Sequence, residues 1–325
     1  MKNVLICGGA GYIGSHMAKR LAVRGFVATV LDNLSTGHQE AVRWGGLATV
    51  DLLDIEALSD VFGGRRFDAV VHFSARSIVG ESLSSPYEYY LNNVTGTLNL
   101  LQAMQRHGVD RLVFSSTAAV YGHPSSALID EDHPKAPINP YGMSKLMVEH
   151  ILADAAAAYG LRSVALRYFN AAGASEAAEI GEAHQPETHL IPNVLKAVLG
   201  QGPGLKVFGD DYPTPDGTCV RDYVHVEDLA QAHELALDYM EQHEGAHAFN
   251  LGSGKGFSVR EVIAAAEQVT GQRVPYEMAP RRAGDPAVLV ASSERARREL
   301  GWQPKYNDLR SIIESAWRWH TNPKF

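Results

Sequence analysis

Short apolar runs recur along the first half of the chain, with amphipathic helical stretches between them. Runs of this kind are typical of strands that are buried on both faces of a parallel sheet. They predict six strands, at residues 3–7, 27–31, 47–50, 68–73, 111–115 and 163–168. The predicted helices begin near residues 12, 55, 87 and 139. Because strands and helices alternate at these spacings, we expect an α/β fold with a Rossmann-like, doubly wound parallel sheet.

The pattern changes after residue 170, where the regular alternation stops and prolines become frequent between 186 and 215. Helices are predicted near 190–199, 227–240 and 258–270, between short strands. We therefore expect residues 1–170 to form the main domain and residues 171–325 to form mainly a smaller C-terminal α/β lobe. This lobe can send segments back to the sheet, and it should pack on the carboxyl edge, where doubly wound folds bind ligands.

A glycine-rich loop follows the first predicted strand and opens the first helix. Gly8, Gly11 and Gly14 are spaced as G-x-x-G-x-x-G. Glycines allow a tight turn and a close approach to a pyrophosphate, which the helix N-terminus stabilises. Asp32 ends the second strand, where a carboxylate accepts bonds from a ribose hydroxyl and repels a 2′-phosphate. The pattern favours NAD over NADP, and the alternative is a turn aspartate before Asn33.

A tyrosine and a lysine at helical spacing form the second candidate site. Asn139 and Pro140 are typical of an N-cap and a first helical residue, and Tyr141 and Lys145 then lie on one helix face. A free phenol loses its proton only near pH 10, and a nearby ammonium lowers that pKa. The pair is therefore a candidate proton acceptor, and Thr117 upstream could complete the relay.

Composition narrows the choice of partners. The chain has 325 residues and a formal net charge of −8, which argues against a general nucleic-acid binder. Cys7 and Cys219 are the only cysteines, so a disulfide framework is not expected and a reducing compartment fits. The first apolar run is too short for a signal peptide or a membrane span. We expect a cytoplasmic protein without nucleic-acid or membrane partners.

Two histidines raise the question of a metal. His184 and His189 lie close together in the sequence, but companion ligands at the spacing of known metal motifs do not accompany them. The sequence therefore predicts that the protein binds no metal.

Six segments together resemble the extended short-chain dehydrogenase/reductase family, and within it the nucleotide-sugar epimerases, over nearly the whole chain. The glycine loop and the Tyr-Lys motif are specific to the superfamily. The segments at 79–82, 167–170 and 216–225 are more specific to the epimerases. The six segments are Gly-Gly-Ala-Gly-Tyr-Ile-Gly-Ser-His at 8–16, Asp-Asn-Leu at 32–34, Val-Gly-Glu-Ser at 79–82, Tyr-Gly-Met-Ser-Lys at 141–145, Arg-Tyr-Phe-Asn at 167–170 and Asp-Gly-Thr-Cys-Val-Arg-Asp-Tyr-Val-His at 216–225.

The resemblance implies NAD as cofactor, a UDP-sugar as substrate and a homodimer formed through the helices near 87–107 and 140–158. It implies that Thr117, Tyr141 and Lys145 are catalytic. With the glycine loop, the cofactor contacts are Gly8, Gly11, Tyr12, Ile13, Gly14, Asp32, Asn33, Leu34, Ser35, Thr36, Gly37, Asp51, Leu52, Phe73, Ser74, Ala75, Asn92, Tyr141, Lys145 and Phe169. The implied substrate contacts are Thr117, Asn170, His189, Leu190, Lys206, Val207, Phe208, Arg221, Arg282, Asp285 and Leu289.

The activity implied by the resemblance is NAD-dependent inversion of C4 of a UDP-hexose, UDP-glucose or UDP-galactose, through a transient 4-keto sugar. A UDP-pentose or a UDP-N-acetylhexosamine as the substrate remains open. A dehydratase or decarboxylase is disfavoured, because those relatives place a carboxyl group just after the catalytic threonine and this chain has Ala118 and Ala119. A catalytically silent NAD-binding module is disfavoured by the intact Thr117, Tyr141 and Lys145.

Three positions depart from the family pattern, and a fourth varies within it. Thr117 replaces the family's serine and keeps the hydroxyl. Ser77, beside Arg76, replaces a lysine near the cofactor pyrophosphate, and His189 replaces an asparagine near the sugar diphosphate. Leu289 falls where relatives place either a tyrosine or a smaller residue beside the 2-substituent of the sugar. A leucine there predicts a partly open wall, and the alternative is that Leu289 belongs to a strand core.

Overall fold

The structure is a computed structural model that describes residues 2–126, 128–282 and 285–325. Its strands, numbered in chain order, are β1 Asn3–Cys7, β2 Val27–Asp32, β3 Gly46–Thr49, β4 Ala69–His72, β5 Arg111–Thr117, β6 Arg162–Tyr168, β7 Asn170–Ala172, β8 Leu205–Phe208, β9 Val220–Arg221, β10 Tyr223–His225, β11 Ala246–Leu251, β12 Phe257–Ser258, β13 Tyr276–Ala279 and β14 Val288–Leu289.

The α-helices, numbered in the same way, are α1 Tyr12–Val23, α2 Ile55–Gly64, α3 Val79–Ser84, α4 Pro86–Tyr89, α5 Gly96–Arg106, α6 Pro140–Tyr159, α7 Leu190–Val198, α8 Val226–Tyr239, α9 Val259–Thr270 and α10 Leu309–Thr321. A π-helical segment, Tyr90–Thr95, joins α4 to α5, so the single long helix predicted near 87–107 is present with a local widening. None of the helices in the described ranges has both the length and the apolar character that a membrane crossing requires.

The central sheet has seven parallel strands in the order β11-β6-β5-β4-β1-β2-β3. All six predicted strands belong to it, which confirms the predicted Rossmann-like, doubly wound α/β fold. The chain builds outward from β1 in both directions, to β2 on one side and to β4 on the other. The crevice at the carboxyl ends of β1 and β4 is therefore the switch point where such folds bind ligands.

Both faces of the sheet are covered by helices, which explains the continuous apolar runs. Successive side chains of a strand point to opposite faces. Val4 and Ile6 of β1 belong to the core beneath α1 and α8, whereas Leu5 and Cys7 belong to the core beneath α2, α5 and α6. A polar group on a strand with two dry faces needs a buried hydrogen-bond partner, so such a strand carries mostly apolar residues and the sequence shows little alternation.

The second half of the chain contributes to both units of the molecule. Helices α7, α9 and α10 share a third core with β8, and their apolar faces include Leu195, Val262 and Ile313. The three predicted helices are present as α7, α8 and α9, but α8 packs on the sheet and β11 follows it as the seventh strand. Neither β11 nor α10 was predicted from the sequence.

Candidate active site

The glycine loop forms a tight cradle between β1 and α1. Gly8 has a φ of +78°, and a Cβ atom on it would lie 2.6 Å from the backbone nitrogen of Ser74. A Cβ atom on Gly14 would lie 2.2 Å from the carbonyl oxygen of Gly8. Gly11 is the N-cap of α1, so the amides of the first helical turn are available to an anion. These contacts require glycine at the first and last positions, and they fit the pyrophosphate of a dinucleotide.

Asp32 supports this cradle from the end of β2. Its Oδ2 accepts a hydrogen bond from the Ala10 amide at 2.9 Å, and its Oδ1 accepts one from the Leu34 amide at 2.9 Å. Burial raises the pKa of Asp32, and the two amides oppose that shift. Each carboxylate oxygen can accept a second bond, so Asp32 keeps the capacity to hold a ribose hydroxyl. The turn role and the cofactor role are therefore compatible.

The other predicted cofactor residues lie around the same crevice. Asn33 donates to Asp51 at 2.8 Å, which joins the loop after β2 to the loop after β3. The amide of Phe73 donates to the Cys7 carbonyl at 2.8 Å, so Phe73–Ala75 follow β4 directly beside Gly8. Together the ends of β1, β2, β3 and β4 provide an anion cradle, a buried carboxylate and an apolar wall, a set that fits NAD.

Helix α6 begins as the sequence predicts. The Asn139 side chain accepts a hydrogen bond from the Gly142 amide at 2.8 Å, and Pro140 is the first helical residue. A Cβ atom on Gly142 would lie 2.4 Å from the Ala119 carbonyl, so the helix start packs directly on the turn after β5. This contact places Tyr141 beside Thr117. Burial raises the pKa of Tyr141, and a hydrogen bond from Thr117 opposes that shift.

Lys145 lies one turn further along α6 and is 2% exposed. Its Nζ donates to the Ser115 carbonyl at 2.7 Å and lies 4.7 Å from the centre of the Phe114 ring. Burial lowers its pKa to about 7, although Glu149 favours the charged form. The ammonium is thus fixed against β5, on the same helix as Tyr141.

A buried ion pair, which sequence reasoning missed, sets the position of α6 on the sheet. Glu149 accepts hydrogen bonds from Arg167 at 2.9 and 2.6 Å and from the Ser116 hydroxyl at 2.6 Å. Arg167 opens the Arg-Tyr-Phe-Asn segment on β6, and Glu149 lies one turn after Lys145. That spacing continues the face of Tyr141 and Lys145 and is the signal that could have revealed Glu149.

A second set of contacts that positions α6, which sequence reasoning also missed, comes from the π-helical segment. Asn93 donates to the Ser144 hydroxyl at 3.0 Å and to the Arg76 carbonyl at 3.0 Å, and it accepts from the Arg76 amide at 2.8 Å. The neighbouring Asn92, a predicted cofactor contact, donates to Asn93 at 2.9 Å. π-bulges are frequent at functional sites. Here the bulge joins the loop after β4 to α6.

Arg76 precedes Ser77, the residue that replaces the family's lysine, and its side chain forms ion pairs at the surface. Its guanidinium lies 3.3 Å from Glu81 and 3.1 Å from Glu88. The structure therefore gives Arg76 two carboxylate partners in α3 and α4.

Four of the predicted substrate residues of the lobe form two contacting pairs near β8, β9 and β14. The Arg282 guanidinium lies 4.1 Å from the centre of the Phe208 ring, and Val207 beside it is buried. Arg221 forms a hydrogen-bonded ion pair with Asp285. Lys206, in contrast, is exposed on β8.

Phe169 and Leu289 connect the lobe to the catalytic residues. Both are partly buried and pack against an apolar cluster that includes Val120, Tyr121 and Leu146. Leu146 follows Lys145 in α6, and Val120 lies three residues after Thr117, so Leu289 packs on residues that are close to these two in sequence. It also pairs with Arg221 in the short strand β14. The two interpretations of Leu289, a wall of the site and a strand residue, are thus both compatible with its position.

His189 and Leu190 lie at the start of α7. Leu190 is the first helical residue, and Asn170 is held at the start of β7 by a hydrogen bond from its amide to the Asp222 carbonyl, at 3.0 Å. Burial lowers the pKa of His189, but Glu182 and Glu187 together raise it to about 10.

These features define an α/β protein with a glycine loop of the dinucleotide-binding type and with Thr117, Tyr141 and Lys145 together at the carboxyl edge of its sheet. Residues 4–252 match the NAD dependent epimerase/dehydratase family, and the chain belongs to that family.

Full-length relatives refine the comparison. The chain is 53% identical to the UDP-glucose 4-epimerase of Lacticaseibacillus casei over 98% of this chain and 97% of that protein. The UDP-glucose 4-epimerase of Brucella ovis, solved in complex with NAD, superposes with a TM-score of 0.95 at 51% identity over 98% of each chain. The enzyme of Bifidobacterium longum, solved with NAD+ and UDP, has a TM-score of 0.95 at 39% identity over 99% of each chain.

Proposed function

We propose that this protein is an NAD-dependent epimerase that interconverts UDP-glucose and UDP-galactose by inverting C4 of the hexose. The observation that carries the proposal is Tyr141, which lies beside Thr117 on the helix that also holds Lys145, at the carboxyl edge of a family-typical sheet. The relatives named above, similar over their full length, support the same substrate and the same cofactor.

The chain's own residues handle the proton of the reaction. Bound NAD supplies a reversible acceptor for the hydride of C4. Tyr141, as phenolate, takes the proton of the 4-hydroxyl and returns it after the sugar has turned. Because burial alone raises the pKa of this phenol, the phenolate depends on nearby positive charge, which Lys145 provides. Thr117 bonds to the phenol and relays the proton.

The lobe holds the nucleotide part of the substrate. Arg221 and Arg282 can form charge-assisted hydrogen bonds to a diphosphate. Phe208 offers an aromatic face to a uracil ring. In the structure the guanidinium of Arg282 lies over the Phe208 ring. When these residues bind UDP firmly, the sugar itself stays free to turn, so that either face of its C4 carbon can receive the hydride.

The residues after Thr117 argue against elimination chemistry. Ala118 and Ala119 form the turn that follows β5, and their side chains can neither give nor take a proton. A dehydratase or a decarboxylase needs such a group beside the sugar.

The proposal is tested by incubating purified protein with UDP-glucose, UDP-galactose, UDP-xylose and UDP-N-acetylglucosamine and by measuring the products. Interconversion of the first two is expected. Turnover of the pentose alone would assign the pentose as substrate instead. Bound NAD without turnover of any of these sugars would favour the silent binding module.

The proposal includes a cytoplasmic homodimer. Large apolar side chains are exposed on α3 to α6, among them Leu83, Tyr87, Leu91 and Met147, and a second copy of these helices would cover them. Cys7 and Cys219 are buried free thiols, which fits a reducing compartment. Light scattering should give twice the chain mass, and a monomer at micromolar concentration would contradict the proposed interface.

Asp32 is expected to set the preference for NAD. The wild-type protein should copurify with NAD and discriminate against NADP, because the carboxylate repels a 2′-phosphate. In Asp32→Ala the dissociation constants of NAD and NADP, measured by calorimetry, should lie closer together than in the wild-type protein. Asp32→Asn removes the charge but keeps an acceptor oxygen for only one of the Ala10 and Leu34 amides, so the ratio of its two dissociation constants is compared only after circular dichroism has shown that the variant folds. If native protein carries NADP, the assignment fails.

Leu289 is expected to control tolerance of the sugar's 2-substituent. The wild-type protein should prefer UDP-glucose and show measurable activity on UDP-N-acetylglucosamine, because a leucine leaves the wall partly open. Leu289→Tyr should abolish only the second activity, since a misfit in an apolar pocket costs about 1–3 kcal/mol per methylene. Leu289→Ile is the matched control and should keep both. A tyrosine variant that is unchanged on both sugars would show that another residue forms the wall.

A further inference from the structure

We propose that Glu182, His184, Glu187 and His189 bind one divalent transition-metal ion, and that this ion is zinc. These four residues, here called the 182–189 cluster, precede α7. The cluster contains none of Thr117, Tyr141 and Lys145 and shares only His189 with the predicted substrate contacts, and an ion in it goes beyond the proposed epimerase activity.

The donor atoms of the cluster already converge. One ligand atom from each of the four side chains lies within 4.8 Å of the others. The Nδ1 of His189 lies 2.6 Å from Oε1 of Glu182 and 3.2 Å from Oε1 of Glu187. The Nδ1 of His184 lies 3.0 Å from Oε1 of Glu182. In a tetrahedral zinc site with bonds of about 2.0–2.1 Å, donors lie about 3.3 Å apart, so the pairs would open slightly, and the zinc ion would replace the Nδ1 protons of these hydrogen bonds, which are released to solvent.

Burial and unused bonding capacity point to a ligand. The side chains of Glu182 and Glu187 are 4% and 3% exposed. The buried Oε2 of Glu187 has no hydrogen-bond partner in the described parts of the chain. A buried carboxylate oxygen without a partner is costly, and a cation coordinated by this carboxylate would offset that cost.

The donor set selects the class of metal. Two imidazole nitrogens and two carboxylate oxygens suit zinc and its first-row neighbours, whereas magnesium and calcium prefer oxygen alone. The sequence predicted no metal because it showed only the two histidines, without a motif. The fold adds Glu182 and Glu187 as the companion ligands.

The position of the cluster indicates what the ion would do. The Glu182 carbonyl accepts a hydrogen bond from the Trp319 indole at 2.9 Å, so α10 holds the segment from one side. The His184 ring lies 6.2 Å from that of Tyr12, the first residue of α1. His184 also lines a narrow cleft with Gly11 and Thr36 of the predicted cofactor site. An ion here would fasten the 182–189 segment beside the glycine loop as a structural element.

The test uses full-length protein as purified, followed by chelation with EDTA and dialysis. Calorimetry with zinc sulfate, and metal analysis after gel filtration, should give one zinc per chain. The melting temperature should rise with zinc concentration, as for any ligand that binds only the folded state. Cobalt(II) should give visible absorption typical of a site of low coordination number. None of these readouts depends on turnover.

Two variants and a matched control complete the design. His184→Gln and Glu187→Gln should each weaken zinc binding at least tenfold, whereas His150→Gln, an exposed histidine on α6, should not. His184→Gln leaves the Glu182–His189 pair intact, so its fold should persist, and circular dichroism would verify this. Zinc binding of well under one equivalent in the wild-type protein, or equal binding in a folded His184→Gln variant, would overturn the proposal.

Discussion

The Tyr141→Phe variant is expected to lose epimerase turnover by about 10²–10⁴-fold, the usual contribution of a general acid–base group. The substitution removes only the phenol oxygen, which interacts with Thr117. The start of α6 should persist, because its capping bond joins Asn139 to the Gly142 amide. The loss should therefore fall on kcat, while the dissociation constants of NAD and UDP stay near those of the wild-type protein.

The control for this variant lies on the same helix. Tyr159→Phe removes a phenol oxygen from a side chain that is 68% exposed at the far end of α6, and it should leave kcat unchanged. Both variants are compared by coupled assay of UDP-galactose conversion and by NAD content. Turnover of Tyr141→Phe within about threefold of the wild-type protein would show that another group is the base.

Acidification is expected to destabilise the protein strongly even before its carboxylates titrate. Burial lowers the pKa of five histidines, among them His320, and does so strongly for four of them, to about 4 for His16 and His233 and to about 3 for His72 and His225. Folded protein keeps them neutral, whereas the unfolded chain binds protons near pH 6.5. Their contribution to stability is therefore fully present above about pH 6.5 and declines as the pH falls towards the folded-state pKa values.

The expected size follows from about 1.4 kcal/mol per pKa unit for each group. Between pH 7.5 and 5.5 the four histidines together remove on the order of 5 kcal/mol of unfolding free energy, and His189, whose pKa is raised to about 10, returns about 1.4 kcal/mol, compared with a total of about 5–15 kcal/mol for a typical domain. Urea unfolding of the NAD-bound protein at several pH values measures this loss.

A single substitution isolates one of the four. His233→Leu should reduce the number of protons taken up on unfolding near pH 5.5 by about one, because His233 no longer titrates. His150→Gln, at an exposed position on α6, should leave that number nearly unchanged. An unfolding free energy that is constant from pH 7.5 to 5.5 would contradict the assignment of these histidines as neutral in the fold.

Local and regular features were predictable from the sequence. The six strands were found because a strand that is covered on both faces is mostly apolar, which leaves a continuous apolar run in the sequence. The start of α6 was found because Asn139 caps its own helix three residues away. The family match and the relatives confirm the NAD dependence and the epimerase class. The roles of the individual site residues remain predictions.

Strand β11 shows why pattern reasoning failed in the second half. Its sequence, Ala-His-Ala-Phe-Asn-Leu, places polar residues among apolar ones. Asn250 is fully buried, yet its amide donates to Glu131 at 2.8 Å and its side chain donates to the Ile129 carbonyl at 3.0 Å. A buried polar residue is stable when it has partners. These partners lie more than a hundred residues away, so the local sequence cannot reveal them.

The sequence by itself determined the apolar strand runs, the glycine loop, the cap of α6 and the identity of the chemical groups, because each depends on neighbours within a few residues. Only the tertiary structure decided how α6 sits on the sheet, since that depends on Asn93 with Ser144 and on Glu149 with Arg167. The same is true of the 182–189 cluster. Its four side chains converge through the path of one irregular loop, and a loop without periodic structure leaves no pattern in the sequence from which that path can be read.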